Sequence, residues 1–235
     1  MKQLVYLTVF GQEYMDQFKI CLEGLKRCQV DIALITDQYF SDERVQTHKI
    51  QPPPDKLHIC QMRVEFQRYI DIKDYDRVWY MDCDFLIFED IFSKYADSET
   101  IWLNSEPGQL LGNMEFGQFF NKDLSPLERS TYHNSEAISG GIYSVPKKYF
   151  NYFEFLNLSV QAAWVRWFNM WGVEQMVMNS IFLRYQESWP MRLLSPKDVG
   201  FLCPRRGGVT GEEMAVHFTL YQDRMKPIWE AYENS

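Results

Sequence analysis

Apolar residues fall into short continuous runs through the first half of the chain, each bounded by polar or turn-forming residues. Leu4 to Phe10 (LVYLTVF) is one run and stops at Gly11; Val30 to Asp37 (VDIALITD) is a second; RVWYM, carrying Val78 to Met81, is a third. Short runs of this kind, rich in β-branched and aromatic residues, read as buried strands. Between the first two, EYMDQFKICLEGLKRC sets Met15, Phe18, Cys21, Leu22 and Leu25 near helical spacing. The three prolines of QPPPD mark a surface loop, because proline fits neither helix interior nor sheet. CQMRVEFQRYIDI, Cys60 to Ile72, then reads as a helix. Strand, helix, strand, helix, strand predicts an α/β fold with a doubly wound, Rossmann-like sheet that is mostly parallel and flanked by helices.

The second half is less regular. AISGGIYSV reads as a strand entered through glycines, WGVEQMVMNSIFLRY as a helix, and EEMAVHFTLY as a late strand ending near His217. KDYDR and the long stretch from Ser105 to Glu136 read as solvated or loop segments. Trp164, Trp167, Phe168 and Trp171 are spaced to share one helix face, which is first a packing signal. With no internal repeat and no linker-like tract, residues 1–235 read as one domain.

Composition narrows the classes. The 235 residues are 46% hydrophobic and 24% charged, ordinary for a globular protein. A net charge of −8 argues against wide contact with nucleic-acid phosphates. No apolar run reaches the roughly 18 residues of a membrane-spanning helix, and the N-terminal stretch does not resemble a signal peptide. Five scattered cysteines without a C-x-x-C pair read as reduced thiols, and a cytoplasmic location is expected.

One stretch does not fit simple burial. In RVWYMDCDFLIFEDIF, Asp82 and Asp84 stand between two apolar runs. Carboxylates in apolar surroundings need a partner, a hydrogen bond or a metal. Two of them one residue apart can offer oxygens to a Mg²⁺ or Mn²⁺ ion, and such hard ions also take phosphate oxygens. In an open parallel sheet, ligands bind beyond the carboxyl ends of the strands, where this pair is expected. The pair alone also fits a solvated turn. Haloacid-dehalogenase-like phosphatases carry a similar motif after an apolar strand. There the strand is usually the first of the core and an acidic pair follows late, whereas here two strands precede it and the later half has no Asp-Asp pair.

The chain resembles GT-A glycosyltransferases, and among them the glycogenin-like retaining enzymes, in six segments in the family's order. LTVFGQEY looks like the nucleotide-binding first strand and turn. MRVEFQRYI places Arg63 where the family has a basic residue. YMDCDFLIFEDI is similar to the family's hydrophobic-D-x-D-hydrophobic signature, ISGGIYSV to its F-N-S-G-V stretch, GVEQMVMNSIF to its G-x-D-Q-x-x-x-N helix, and VHFTLYQDRMKPIW to its H-F…K-P-W tail. Ser139 stands where the family usually has Asn, Glu174 stands for Asp, and the tail is longer and has no Gly after H-F.

The resemblance implies a metal-dependent, retaining transfer of a hexose from a nucleotide sugar, with UDP-hexose the expected donor and Mn²⁺ or Mg²⁺ the expected ion. Asp82, Asp84 and His217 would hold the ion; a packed imidazole beside Phe218 is the plainer reading of His217. Thr8, Phe10, Gly11 and Tyr14 would line the nucleotide pocket, with Tyr14 stacking on the base and Phe10 contributing partly by backbone. Arg63 and Lys226 would meet the donor, the latter at its diphosphate, unless each is a surface charge. Backbone at Cys83 would pass the ribose. Ser139, Gly140 and Gly141 would let the sugar lie against the strand end, the glycines through close approach or positive φ. Glu174 and Gln175 would face the sugar as the catalytic pair, although a helix N-terminus favours an acid anyway. The long stretch from Ser105 would form an acceptor wall or lid, and an inverting reaction would turn the search for a base to Glu106, Asp123 and Glu136. The acceptor (a protein, a lipid-linked sugar or a glycan) is not legible, and homo-oligomerisation stays open. Two other classes compete: a sugar nucleotidyltransferase, which generally needs a glycine-rich basic loop that TVFGQEY does not have, and a catalytically silent sugar-nucleotide-binding protein.

Overall fold

A computed structural model of the chain describes residues 1–54, 56–111, 125–166, 172–203, 206–219 and 222–235. Its strands are β1 (Gln3–Val9), β2 (Asp31–Thr36), β3 (Val45–Lys49), β4 (Arg77–Met81), β5 (Phe85–Ile87), β6 (Ile101–Leu110), β7 (Glu136–Pro146), β8 (Met191–Leu193), β9 (Val199–Cys203), β10 (Arg206–Gly208) and β11 (Ala215–Phe218). The helices are α1 (Gln12–Leu25), α2 (Lys56–Val64), α3 (Ile91–Lys94), α4 (Pro126–Tyr132), α5 (Asn151–Arg166), α6 (Val173–Tyr185) and α7 (Met225–Glu233). Seven strands form a central sheet in the order β3-β2-β1-β4-β7-β6-β8. All its pairings are parallel except those of β7 with β4 and β6, so one strand runs against the rest. A second sheet, β10-β9-β11-β5, has four strands.

The unbroken apolar runs follow from burial on both faces. Leu4 and Tyr6 of β1 pack with Val64, Phe153, Leu156, Val160 and Val177, on the side of α2, α5 and α6. The alternate residues Val5, Leu7 and Val9 pack with Met15, Phe18, Cys21, Leu22 and Leu25 of α1. Side chains alternate at period two, and each face has its own helices, so both sets are mainly apolar.

Several expectations need correcting. Helix α2 begins before Cys60 and stops at Val64; a short 3₁₀ turn, Phe66–Arg68, replaces the continuation to Ile72. Phe66 stacks on Tyr6 with ring centroids 4.0 Å apart, and Ile70 and Ile72 are buried in the same core. The chain turns to place these side chains on the sheet. The stretch from Ser105 is not all loop: β6 runs to Leu110, and α4 follows with a reciprocal capping box between Ser125 and Glu128 and proline in its first turn. β3 and β8 to β10 escaped the apolar pattern, being short or only partly buried. Trp164 packs edge-on against His58; Trp167, Phe168, Trp171 and Asp123 lie outside the described residues. All five cysteines are free thiols. Among the described residues, no helix is long and apolar enough to cross a membrane.

Candidate metal centre

β4 is the axis of the site. Its neighbour β1 pairs with it in parallel, Tyr6 opposite Tyr80, and continuing that register sets Thr8 level with Asp82. On the other side Met81 lies opposite Ile142, and the Asp82 amide donates to the Gly141 carbonyl at 2.8 Å. The ladder therefore delivers Asp82 at the carboxyl edge of the parallel strands. Asp84 begins the step into β5, which leaves the central sheet and pairs with β11.

That second pairing supplies the third group. His217 of β11 lies opposite Phe85 of β5 and Phe201 of β9. Directly paired residues share a sheet face: the imidazole stacks on Phe85 with centroids 4.4 Å apart and meets the edge of Phe201 at 5.2 Å. His217 Nε2 then lies 3.1 Å from Asp84 Oδ1. Gly141 supplies the fourth wall, since a Cβ there would lie 2.5 Å from His217 Cε1. Neither Gly140 nor Gly141 has a positive φ, so close approach accounts for Gly141 and backbone strain for neither.

One ligand atom each from Asp82, Asp84 and His217 lie within 4.8 Å of one another. Two carboxylate oxygens and an imidazole nitrogen form a donor set that could hold a divalent cation. Buried Asp84 Oδ1 and His217 Nδ1 make no aligned hydrogen bond. Buried polar atoms are rarely left this way, and these residues fit a divalent cation.

No family model matches this chain, and no curated protein matches it. The site therefore has to be read from its own geometry.

Arg63, at the end of α2, spans two acids. Its Nη2 lies 3.2 Å from Asp82 Oδ1 and its Nη1 3.0 Å from Glu174 Oε1, at the start of α6. Tyr6 fixes the Arg63 backbone by donating to its carbonyl at 2.9 Å. The Tyr80 hydroxyl also donates to Asp82 Oδ1. Gln175 donates to Glu106 of β6 and accepts weakly from the Gly140 amide at 3.4 Å. Asn179, one turn further along α6, accepts from the Ile138 amide at 2.8 Å and donates to the Ile138 carbonyl at 3.1 Å, pinning the helix to β7 as a strand neighbour would.

Asp82, Asp84, Glu106 and Glu174 thus gather around one guanidinium and one imidazole, and the cluster is net negative even with His217 protonated. Burial pushes Asp82 upward, more than the Arg63 charge lowers it, so its carboxyl titrates above the ordinary range. Burial acts the same way on Asp84, but there His217, the Gln222 hydrogen bond and Arg63 win and hold it below. Burial opposes charge on His217; the Asp84, Asp82 and Glu106 carboxylates outweigh it and raise the imidazole above its usual value.

The other expected residues divide by position. Gly11 adopts φ +85° between β1 and α1 and donates to Asp37 at 2.9 Å, tying the ends of β1 and β2 together. Tyr14 stands exposed near it, in the first turn of α1. The Phe10 side chain points into the core, so only its backbone faces the edge. Cys83 packs against the α1 core, a space-filling thiol rather than a reactive one; burial raises its pKa well above normal. Ser139 is buried and accepts from the Gly141 amide at 3.2 Å. Lys226, on the first turn of α7, is exposed with its Nζ 3.8 Å from Glu230, and among the described residues it has no ion pair with the cluster. Sequence reasoning missed Tyr80 and Gln222, and placed Glu106 in a loop rather than on β6. For Tyr80 a signal existed: it precedes Asp82 by two residues and so shares its face of β4.

Proposed function

We propose that this protein is a metal-dependent, retaining glycosyltransferase of the GT-A type, which moves a hexose from a nucleotide sugar, UDP-hexose above all, to an acceptor hydroxyl. The observation that carries the reading is the Asp82–Asp84–His217 cluster at the carboxyl edge of β4, with Arg63, Glu174 and Gln175 beside it. The six family-like segments support it, because five of them meet at this one place, through α2, β4, β7, α6 and β11.

Asp82, Asp84 and His217 hold the divalent cation. A bound cation offsets charge on a diphosphate leaving group. Tyr14 gives the base a stacking face at the edge of the same sheet, and Gly11 lets the backbone turn beneath it. Arg63 pairs with Glu174 and aims it towards the sugar side. Gln175, held by Glu106, presents its amide at the same place. In the reaction the bond between the anomeric carbon and the phosphate oxygen breaks, and a bond from that carbon to the acceptor oxygen forms on the same face. The acceptor's proton passes to the departing phosphate oxygen, so no separate base is required. Lys226, which faces Glu230 rather than the cluster, would have to leave that contact to reach the diphosphate.

The test is donor hydrolysis and transfer with and without Mn²⁺, across UDP- and GDP-sugars. Wild-type protein should turn over a UDP-hexose only with the cation, and Asp84→Ala and His217→Ala should abolish Mn²⁺-dependent donor binding and turnover while remaining folded. Normal turnover by either variant would remove the assigned centre. Binding without any turnover would favour a silent sugar-nucleotide-binding protein instead.

A further inference from the structure

Asp84 is not oriented by His217 alone. Gln222, 138 residues further along, donates its amide to Asp84 Oδ2 at 3.1 Å. That leaves Oδ1, buried and without an aligned hydrogen bond, as the oxygen 3.1 Å from His217 Nε2. Asp82 shows the same division: Tyr80 and Arg63 both address its Oδ1, while its Oδ2 has no partner among the described residues. Each aspartate thus has one oxygen engaged by a donor outside the cluster and one left for a ligand.

The position of Gln222 is set by packing. It opens the one-turn segment Gln222–Arg224 that leads into α7. Met225 and Trp229 of α7 are buried against Leu86, Val216 and Phe218, on β5 and β11. The Phe218 amide donates to the Asp84 carbonyl at 2.8 Å. The same docking that seats α7 therefore brings the amide of Gln222 to Asp84.

We propose that Gln222 is a positioning residue of the metal centre: by holding Asp84 Oδ2 it selects Oδ1 as the cation-facing oxygen and ties cation binding to the docking of the C-terminal segment. The inference rests on the reading of Asp82, Asp84 and His217 as a divalent-cation site. Donors beyond the ligands fix carboxylate orientation, and losing one typically costs about 10–100-fold in metal affinity. Gln222 is half-buried at a one-turn segment, so the lower end of that range is expected.

The experiment is calorimetric titration of the metal-free protein with Mn²⁺, without any sugar nucleotide. Gln222→Met keeps the side-chain volume and removes the donor; Gln222→Asn keeps the amide one methylene short. Both should weaken Mn²⁺ binding by about tenfold, with only the small loss of metal-free thermal stability that the missing hydrogen bond to Asp84 brings. In an Asp84→Asn background, Gln222→Met should bring no further loss. Limited proteolysis should show Mn²⁺ protecting the segment after Phe218 in the wild type, and protecting it less in Gln222→Met. If Asp84→Asn weakens Mn²⁺ binding while both Gln222 variants bind as the wild type does, the role of Gln222 is overturned and the metal centre stands. No Mn²⁺ binding by the wild-type protein overturns both.

Discussion

Gly140 and Gly141 are adjacent on one strand, yet the structure separates them sharply. A Cβ at Gly141 would lie 2.5 Å from His217 Cε1, 2.9 Å from Nδ1 and 3.1 Å from Nε2. Carbon atoms rest comfortably at about 3.5–4.0 Å, so Gly141→Ala requires a shift of about 1 Å. The imidazole has little freedom to supply it, being stacked on Phe85 and edge-on to Phe201, with its backbone laddered on both sides. Overpacking of this kind costs about 1–3 kcal/mol. The displaced atom belongs to a proposed ligand, so Mn²⁺ affinity should also fall by tenfold or more, as when ligand orientation is lost. At Gly140 the nearest atoms to an added Cβ are Gln175 Cβ at 3.7 Å, Gln175 Oε1 at 3.8 Å and Glu174 Oε1 at 3.9 Å, which is ordinary contact. Gly140→Ala should therefore be neutral, or more stable by about 0.4–1 kcal/mol through a stiffer unfolded chain. Urea unfolding of the metal-free proteins and Mn²⁺ calorimetry read the two effects separately. A Gly141→Ala protein as stable as the wild type, with unchanged Mn²⁺ affinity, would refute the account of why the glycine is there. Equal losses at both positions would refute it too, since they would point to a general need for glycine in β7.

Arg63→Met should destabilise the metal-free protein by about 3 kcal/mol in urea unfolding, because Asp82 and Glu174 lose their shared partner; a loss under about 0.5 kcal/mol would show the bridge to be a loose surface contact. His217 titrates above its ordinary value in the folded protein, so its imidazolium stabilises the metal-free native state fully below the unfolded pKa of about 6.5. That contribution is lost as pH rises through the raised folded value. The gap in melting temperature between wild type and His217→Gln should accordingly narrow from pH 6 upward, while Mn²⁺ affinity rises over the same interval because the ion displaces that proton; a gap that widens with pH would reverse the assignment. Tyr14→Ala should leave stability intact, the ring being exposed, and weaken UDP binding by about 1–3 kcal/mol if base stacking is its role; unchanged UDP affinity by calorimetry would take Tyr14 out of the pocket. An α-linked UDP-hexose should give an α-linked product, read from the anomeric proton coupling before mutarotation; a β-linked product would sink the retaining assignment and turn attention to Glu106, which β6 places beside Gln175.

Local pattern determined a good deal of this protein. The continuous apolar runs of β1, β2 and β4 exist because both sheet faces are covered, and the helical spacing of Met15, Phe18, Cys21, Leu22 and Leu25 is the face that α1 buries. Each is a property of a few neighbouring residues, and so is legible without a fold. The Asp82–Asp84 pair was legible in the same way, as two carboxylates that an apolar setting cannot leave alone. Partnership was not legible from spacing. His217 reaches Asp84 because β5 leaves the central sheet and pairs with β11; Arg63 meets Glu174, 111 residues away, because α2 and α6 cover one face of the sheet; Gln222 meets Asp84 because Met225 and Trp229 dock α7 on β5 and β11. The strands that make these meetings possible are three to five residues long, too short to carry a period of their own. Their pairing is decided by burial against chain segments far away in sequence, and that is information only the folded chain contains.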